Sequence, residues 1–227
     1  MNFLYILSED DNDDIFYKGC IENLTGKSFN LIPRRIRKGG GISQVRRHIP
    51  YLLSDIKYTG KVENTFFVIA LDNDRSPAHP DHKRLTEIDK LPKREQRKDC
   101  RFCEIQKITY KYLGSKDKWP LKGAIAVPVQ MIESWLLLIS KSEEYENESE
   151  LPIFARKDSS LAKDYFAPKK PPSQLKDLCE TEKKRLNITS SRNFFIHCAK
   201  RIASSDIHKS SNSFSLFKEQ VKVWFNK

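Results

Sequence analysis

At 227 residues, with 38% hydrophobic and 31% charged side chains, the chain can bury one good core and remain soluble. No apolar run reaches the roughly 20 residues of a membrane span, and five cysteines do not suit a disulfide framework. A net charge of +11 fits a polyanionic partner such as nucleic acid.

Residues 3–8 predict a strand, and Asp11 to Asp14 supply caps for a helix with Ile15, Phe16, Cys20, Ile21 and Leu24 on one face. Gly26 ends that helix. A second strand is expected over Asn30–Ile36, leading into Lys38-Gly39-Gly40-Gly41. A helix from near Ile42 follows, with Val45, Ile49, Leu52, Leu53 and Ile56 on its buried side. Phe66–Leu71 reads as a buried strand. Strands alternating with helices over the first 75 residues predict a parallel sheet with right-handed crossovers. Residues 76–118 read as a charged, proline-punctuated basic insertion after strand three, with a helix over 102–113. Ala124–Val129 predicts another strand, and Met131–Ile139 a largely buried helix. Residues 141–150 are acidic and expected to be a solvated loop; residues 156–185 are basic and extended around Pro168–Pro172. Helices are expected over 192–204 and 213–225. The N-terminus lacks a basic leader segment, so a cytoplasmic protein with no membrane partner is expected.

Two strands run straight into carboxylates. Glu9 and Asp13 follow the first; Asp72 and Asp74 follow the third. In open α/β sheets ligands bind outside the carboxyl ends of the strands. An Asp-x-Asp pair there projects both carboxylates to one face, since extended side chains alternate with period two. Such hard oxygen donors suit Mg²⁺ or Mn²⁺, one or two ions about 4 Å apart, and hydrolysis of a phosphodiester. Capping and turn formation explain some of these residues but not why both clusters end core strands.

A second constellation joins His79-x-x-His82 to Cys100-x-x-Cys103, two borderline-to-soft pairs that match a structural zinc site. Surface histidines and an incidental thiol pair are the simpler alternative. Gly26-Lys27-Ser28 imitates the end of a phosphate loop, but Ile21 stands where its first glycine is required. Arg34, Arg35, Arg37 and Lys38 beside Gly40, with Arg75 after Asp74, are the candidate phosphate contacts. Cys20, Cys179 and Cys198 read as buried apolar residues, and His197 as a packed core residue.

Leu4 to Phe16, followed by Lys38-Gly39-Gly40-Gly41 and Ala70-Leu71-Asp72-Asn73-Asp74, resembles a Toprim domain. That module serves topoisomerases, primases, small RNA-maturation nucleases and the overcoming-lysogenization-defect nucleases. Asp10 stands where these domains usually have a glycine. The run Val127-Pro128-Val129-Gln130-Met131-Ile132-Glu133-Ser134-Trp135-Leu136-Leu137 resembles a later motif of small stand-alone bacterial Toprim-like proteins, which implies Glu133 as a late metal ligand. The resemblance covers about residues 1–75 and 124–140. It implies a Toprim-like, Rossmannoid α/β fold over residues 1–140 with a central mostly parallel sheet, followed by a helical C-terminal extension over 141–227 packed on the same core. It further implies a Mg²⁺-dependent nuclease acting on DNA or RNA, an effector of anti-phage defence, working with a co-encoded ATPase. Glu9, Asp72, Asp74 and Glu133 would be catalytic, with Asp13 supporting the metal. The alternatives are a non-catalytic nucleic-acid-binding or scaffold subunit of the same fold, and a metal-dependent phosphatase or nucleotidyl enzyme.

Overall fold

Alternating side chains divide each core strand between two apolar layers, and that division builds the fold. In the computed structural model, which describes residues 1–33, 41–58, 64–73, 101–114, 122–129, 131–141 and 172–225, the sheet is formed by β1 (Asn2–Leu7), β2 (Phe29–Leu31), β3 (Thr65–Ala70) and β4 (Lys122–Ala126). Its order is β2-β1-β3-β4 and every pairing is parallel, with Leu4 beside Leu31 on one side and Phe66 on the other. The expected parallel α/β sheet is therefore present. All six residues of β3 are buried, which accounts for its unbroken apolar run.

Leu4, Ile6, Phe66, Val68, Ala70, Ala124 and Ala126 face one layer. There they meet α1 (Asp11–Thr25), α4 (Ile132–Ser140), α5 (Pro172–Arg185), α6 (Ser191–Arg201) and α8 (Asn212–Lys222), with the short α7 (Ile207–Ser210) before α8. Leu7, Phe67, Ile69, Leu71, Ile125 and Val127 face the other layer. It is covered by α2 (Gly41–Tyr58) and α3 (Arg101–Leu113). The chain steps from β1 to β2 over the first face, then back across to β3 and β4 over the second, so all these crossovers share one hand. Small residues permit close approach. The Phe67 ring lies where a Cβ on Gly123 would sit, at 2.0 Å, and a Cβ on Gly19 would be 2.7 Å from that of Ala199 on α6.

The differences from expectation have local causes. β1 ends at Leu7, because Asp10 rather than Asp11 to Asp14 is the N-cap of α1. β2 stops at Leu31, residues 34–36 of the expected strand lying outside the described residues. Leu52 is half-buried, while Val45, Ile49, Leu53 and Ile56 are buried. The expected 192–204 helix ends at Arg201 and tightens into a 3₁₀ turn over Ile202–Ser204. Helix α5 forms over the last part of the segment read only as basic, and residues 168–171 of the expected extended stretch lie outside the described residues. Leu175, Leu178 and Cys179, at i, i+3 and i+4, give it a narrow buried stripe, and Pro172 occupies its first position. Gly26 adopts the left-handed conformation (φ 64°) that ends α1, its N–H donating to the Glu22 carbonyl. Cys20, Cys179 and Cys198 are buried free thiols. Among the described residues no helix is long and apolar enough to cross a membrane.

Candidate metal centre

The sheet order reverses between β1 and β3: the chain leaves β1 toward β2 and returns on its other side. That reversal opens a crevice at the carboxyl ends of these two strands. Glu9 lies two residues beyond β1 and Asp72 two residues beyond β3. Past its last paired residue, β3 stays extended. Leu71 N–H donates to the Ala126 carbonyl at 3.1 Å and Asn73 N–H to the Pro128 carbonyl at 3.1 Å. The intervening Asp72 N–H must then point the other way, toward β1, where it donates to Glu9 Oε1 at 3.3 Å. Strand geometry alone thus brings the Glu9 carboxylate to the Asp72 backbone.

The Asp72 side chain reaches α4. Its Oδ1 accepts the Ile132 N–H at 2.9 Å, and Met131, the N-cap residue, contributes no side-chain bond of its own. Asp72 therefore does for α4 what an N-cap side chain does, and the positive end of that helix faces the carboxylates. Glu133, in the first turn of α4, joins them from there.

The acidic run after β1 divides its labour. Asp10 Oδ1 accepts from the N–H groups of Asn12 and Asp13, at 2.7 and 3.1 Å, and Asp10 N–H donates to Asp13 Oδ2 at 3.2 Å. This is a capping box. Ser8 Oγ donates to Asp14 Oδ1 at 2.7 Å. Capping accounts for Asp10, and Ser8 anchors Asp14. Asp13 belongs both to the box and to the cluster facing Glu9. On the far side α2 begins at Gly41, whose φ is 55° and where an added Cβ would lie 3.7 Å from Glu9 Oε2.

Burial and mutual repulsion push these carboxyls toward the protonated form. Asp13 is raised from 3.8 to about 8, chiefly by burial and then by Asp10, Glu9 and Glu133, against the opposing Asp10 backbone bond. Asp72 lies well above the ordinary range through burial, then Glu9, Glu133 and Asp13, with the Ile132 bond opposing. Glu133 is raised by burial, with a backbone bond and Lys176 of α5 pulling the other way. Glu133 Oε2 is buried and has no hydrogen-bond partner among the described residues.

Among the described residues no group of three or more His, Cys, Asp or Glu side chains stands ready to hold a metal ion. Glu9 and Asp72 each turn one oxygen to a backbone N–H instead. The donor set still fits a hard divalent cation: carboxylate oxygens only, mutually repelling, with one buried oxygen that has no partner among the described residues. Of the residues expected at the site, Glu9 is hydrogen-bonded to the Asp72 backbone, and Asp13 and Glu133 lie near enough to raise the Asp72 pKa. Asp74, Arg75, Arg34, Arg35, Arg37, Lys38 and Gly40 lie outside the described residues, as do His79, His82 and Cys100. Cys103, in the first turn of α3, is half-buried against the second apolar layer.

Tyr17 escaped the sequence reading. It lies one turn beyond Asp13, is buried, and its hydroxyl is held well above its ordinary pKa by burial first, then by Asp13, Asp72, Cys20 and Glu9. Its ring meets Trp135 of α4 and Phe217 of α8 edge-on, with centroids 6.1 and 5.9 Å apart. The i+4 offset from Asp13 was the available signal. Lys176 gave none until α5 was known to be a helix.

No family model, no curated protein and no solved structure matches the chain.

Proposed function

We propose that the chain is a Toprim-type, Mg²⁺- or Mn²⁺-dependent nuclease. The observation that carries this reading is the Asp72 N–H bond to Glu9 at the carboxyl ends of β1 and β3, with Asp13 and Glu133 close enough to raise the Asp72 pKa. Glu9 and Asp72 are the primary ligands, Glu133 adds its unpartnered buried oxygen, and Asp74 completes the set. When bound, a divalent ion supplies charge stabilisation at the phosphoryl group and an activated water. The protein's own part is positional. The Ile132 N–H fixes Asp72, the Asp72 N–H fixes Glu9, and the Asp10 N–H orients Asp13. A body of net charge +11 draws a polyanion to this acidic cleft. Arg34, Arg35, Arg37, Lys38 and Arg75 are the proposed phosphate contacts, and His79, His82, Cys100 and Cys103 a proposed zinc staple for the basic insertion. A role in anti-phage defence beside a co-encoded ATPase rests on the Toprim resemblance alone.

Asp72→Ala tests the reading. It should abolish Mg²⁺-dependent cleavage while nucleic acid binding stays equal or tightens, because the variant removes negative charge from a phosphate-facing cleft. The assay is a cleavage gel in Mg²⁺, Mn²⁺ and EDTA beside a salt-titrated binding curve, repeated with any co-encoded ATPase. A wild type that binds in all conditions but never cuts, with Asp72→Ala indistinguishable from it, would establish the scaffold reading instead. Turnover of small nucleotides but not polymers would establish the phosphatase or nucleotidyl reading.

A further inference from the structure

We propose that the outer surface of α2 and α3 is a track for single-stranded nucleic acid leading to the carboxylates, a substrate class that rests on the nuclease reading above. Helix α2 is 18 residues long, and Val45, Ile49, Leu53 and Ile56 form its buried line. The opposite line repeats the same helical spacing with Arg47, Tyr51, Ser54 and Tyr58. Tyr51 is 65% exposed and Tyr58 88%, more than any other aromatic side chain among the described residues. The His48 ring lies 6.0 Å from that of Tyr51 and broadens the platform. Alongside, α3 packs against α2 and exposes Lys107, Lys111 and Tyr112, the last 39% exposed.

Charge identifies the occupant. The exposed charged residues of the two helices are Arg47, Lys57, Lys107 and Lys111 against Asp55. Glu104 does not offset them, because it is paired with both Arg46 and Arg101. Exposed rings interleaved with cations are the two elements of single-strand recognition: flat faces for unpaired bases and positive charge for the backbone. A duplex buries the faces of its bases, so the tyrosines would gain nothing from it. A protein-binding patch would be depleted in lysine, whereas these two helices expose Lys57, Lys107 and Lys111. Position supports the same occupant. Helix α2 starts against Glu9 at Gly41, and at 1.5 Å per residue Tyr51 and Tyr58 lie about 15 and 25 Å along its axis from that point. A strand lying on the rings therefore reaches the carboxylates within a few nucleotides.

The test uses the full chain in EDTA, where a metal-dependent enzyme cannot cut, with fluorescent oligonucleotides of one sequence as a single strand and as a duplex. Wild type should prefer the single strand. Tyr51→Ala and Tyr58→Ala should each weaken single-strand binding by about fivefold or more, leaving the duplex unaffected. Tyr51→Phe and Tyr58→Phe should bind as wild type, since the ring is retained. Arg47→Ala should weaken both and lower the salt slope by about 0.7 on the single strand. Both rings are exposed, so the variants should keep the wild-type unfolding midpoint. Unchanged single-strand binding by the double alanine variant would overturn the track, as would equal loss on both substrates. A change of oligomeric state in that variant would overturn it in favour of a protein interface. If the wild type never cuts in Mg²⁺ or Mn²⁺ while the tyrosine effects hold, the nuclease reading fails and the single-strand surface stands.

Discussion

Asp13 serves two purposes that conflict once it is buried. As a member of the capping box it accepts the Asp10 N–H, yet burial and Asp10's own charge lift its pKa from 3.8 to about 8. The sign of the consequence follows from linkage. Below about pH 4 the group is protonated in folded and unfolded chains alike, and its contribution is fully present. As pH rises toward 8 the unfolded chain releases the proton and the folded one retains it, so folding loses stability across that window. Asn at this position keeps an acceptor for the Asp10 N–H and has no proton to lose. In EDTA, the stability of Asp13→Asn relative to wild type should therefore climb from pH 5 to pH 8. At about 1.4 kcal/mol per unit, even a third of the shift amounts to about 2 kcal/mol. Urea midpoints at three pH values measure it, and a difference that is flat with pH would reject this account of Asp13. The carboxylates themselves were legible in the sequence, because Glu9, Asp13 and Asp72 follow apolar runs too long to be loops. Their division of labour was not, since a one-residue shift in the cap decides whether Asp10 or Asp13 faces the crevice. Tyr17 became visible only when α4 and α8 closed around its ring.

The edge strand β4 shows how an element is completed by another far along the chain. Its outward backbone groups at Ile125 have no strand partner in the described sheet. Gln220 of α8 replaces one: Oε1 accepts the Ile125 N–H and Nε2 donates to the Ile125 carbonyl, both at 3.0 Å. The side-chain amide thus imitates a neighbouring strand, and α8 covers an edge that would otherwise be open to pairing with another chain. Gln220→Leu has similar bulk but leaves two buried backbone groups unpaired. It should cost about 2–4 kcal/mol and lower the urea midpoint without changing the slope. A loss below about 0.5 kcal/mol would mean water replaces the amide freely. Nothing in the sequence marked Gln220, because a glutamine in an amphipathic helix reads as a solvated residue. The all-apolar run of α4 was legible for the opposite reason. It is buried on every side between the sheet and the C-terminal helices, and only such a site accepts a helix without a polar face. Helix α5 sits between these cases, its three buried apolar residues too few to stand out in a lysine-rich segment.

At the scale of the whole molecule, the position of Glu133 depends on residues far beyond the crevice. Trp135 Nε1, on the next half-turn of α4, donates to Ser213 Oγ at 2.8 Å. The Cys198 thiol donates to the Leu136 carbonyl at 3.7 Å, and Arg185 Nη2 to the Ser140 carbonyl at 3.4 Å. Phe214 and Phe217 close on the same indole, with centroids 5.0 and 5.8 Å away. At the opposite end of the sheet layer, Trp224 packs on Phe66 with ring centroids 5.0 Å apart. These helices fill one whole face of the sheet and share its core. Urea unfolding should then be a single transition, coincident by far-UV circular dichroism and by the fluorescence of buried Trp135 and Trp224. Because the site carboxylates belong to that same unit, Mg²⁺ should move the entire transition in wild type, by an amount that grows with its concentration. Asp72→Ala should lose that response. Ending the chain at residue 205 removes Phe214, Phe217, Val221 and Trp224 from the core, and the remnant should show no cooperative transition at all. Two resolved transitions, or a truncated chain that still unfolds cooperatively, would mean that the C-terminal helices form a separate module and that Glu133 is held in place without them.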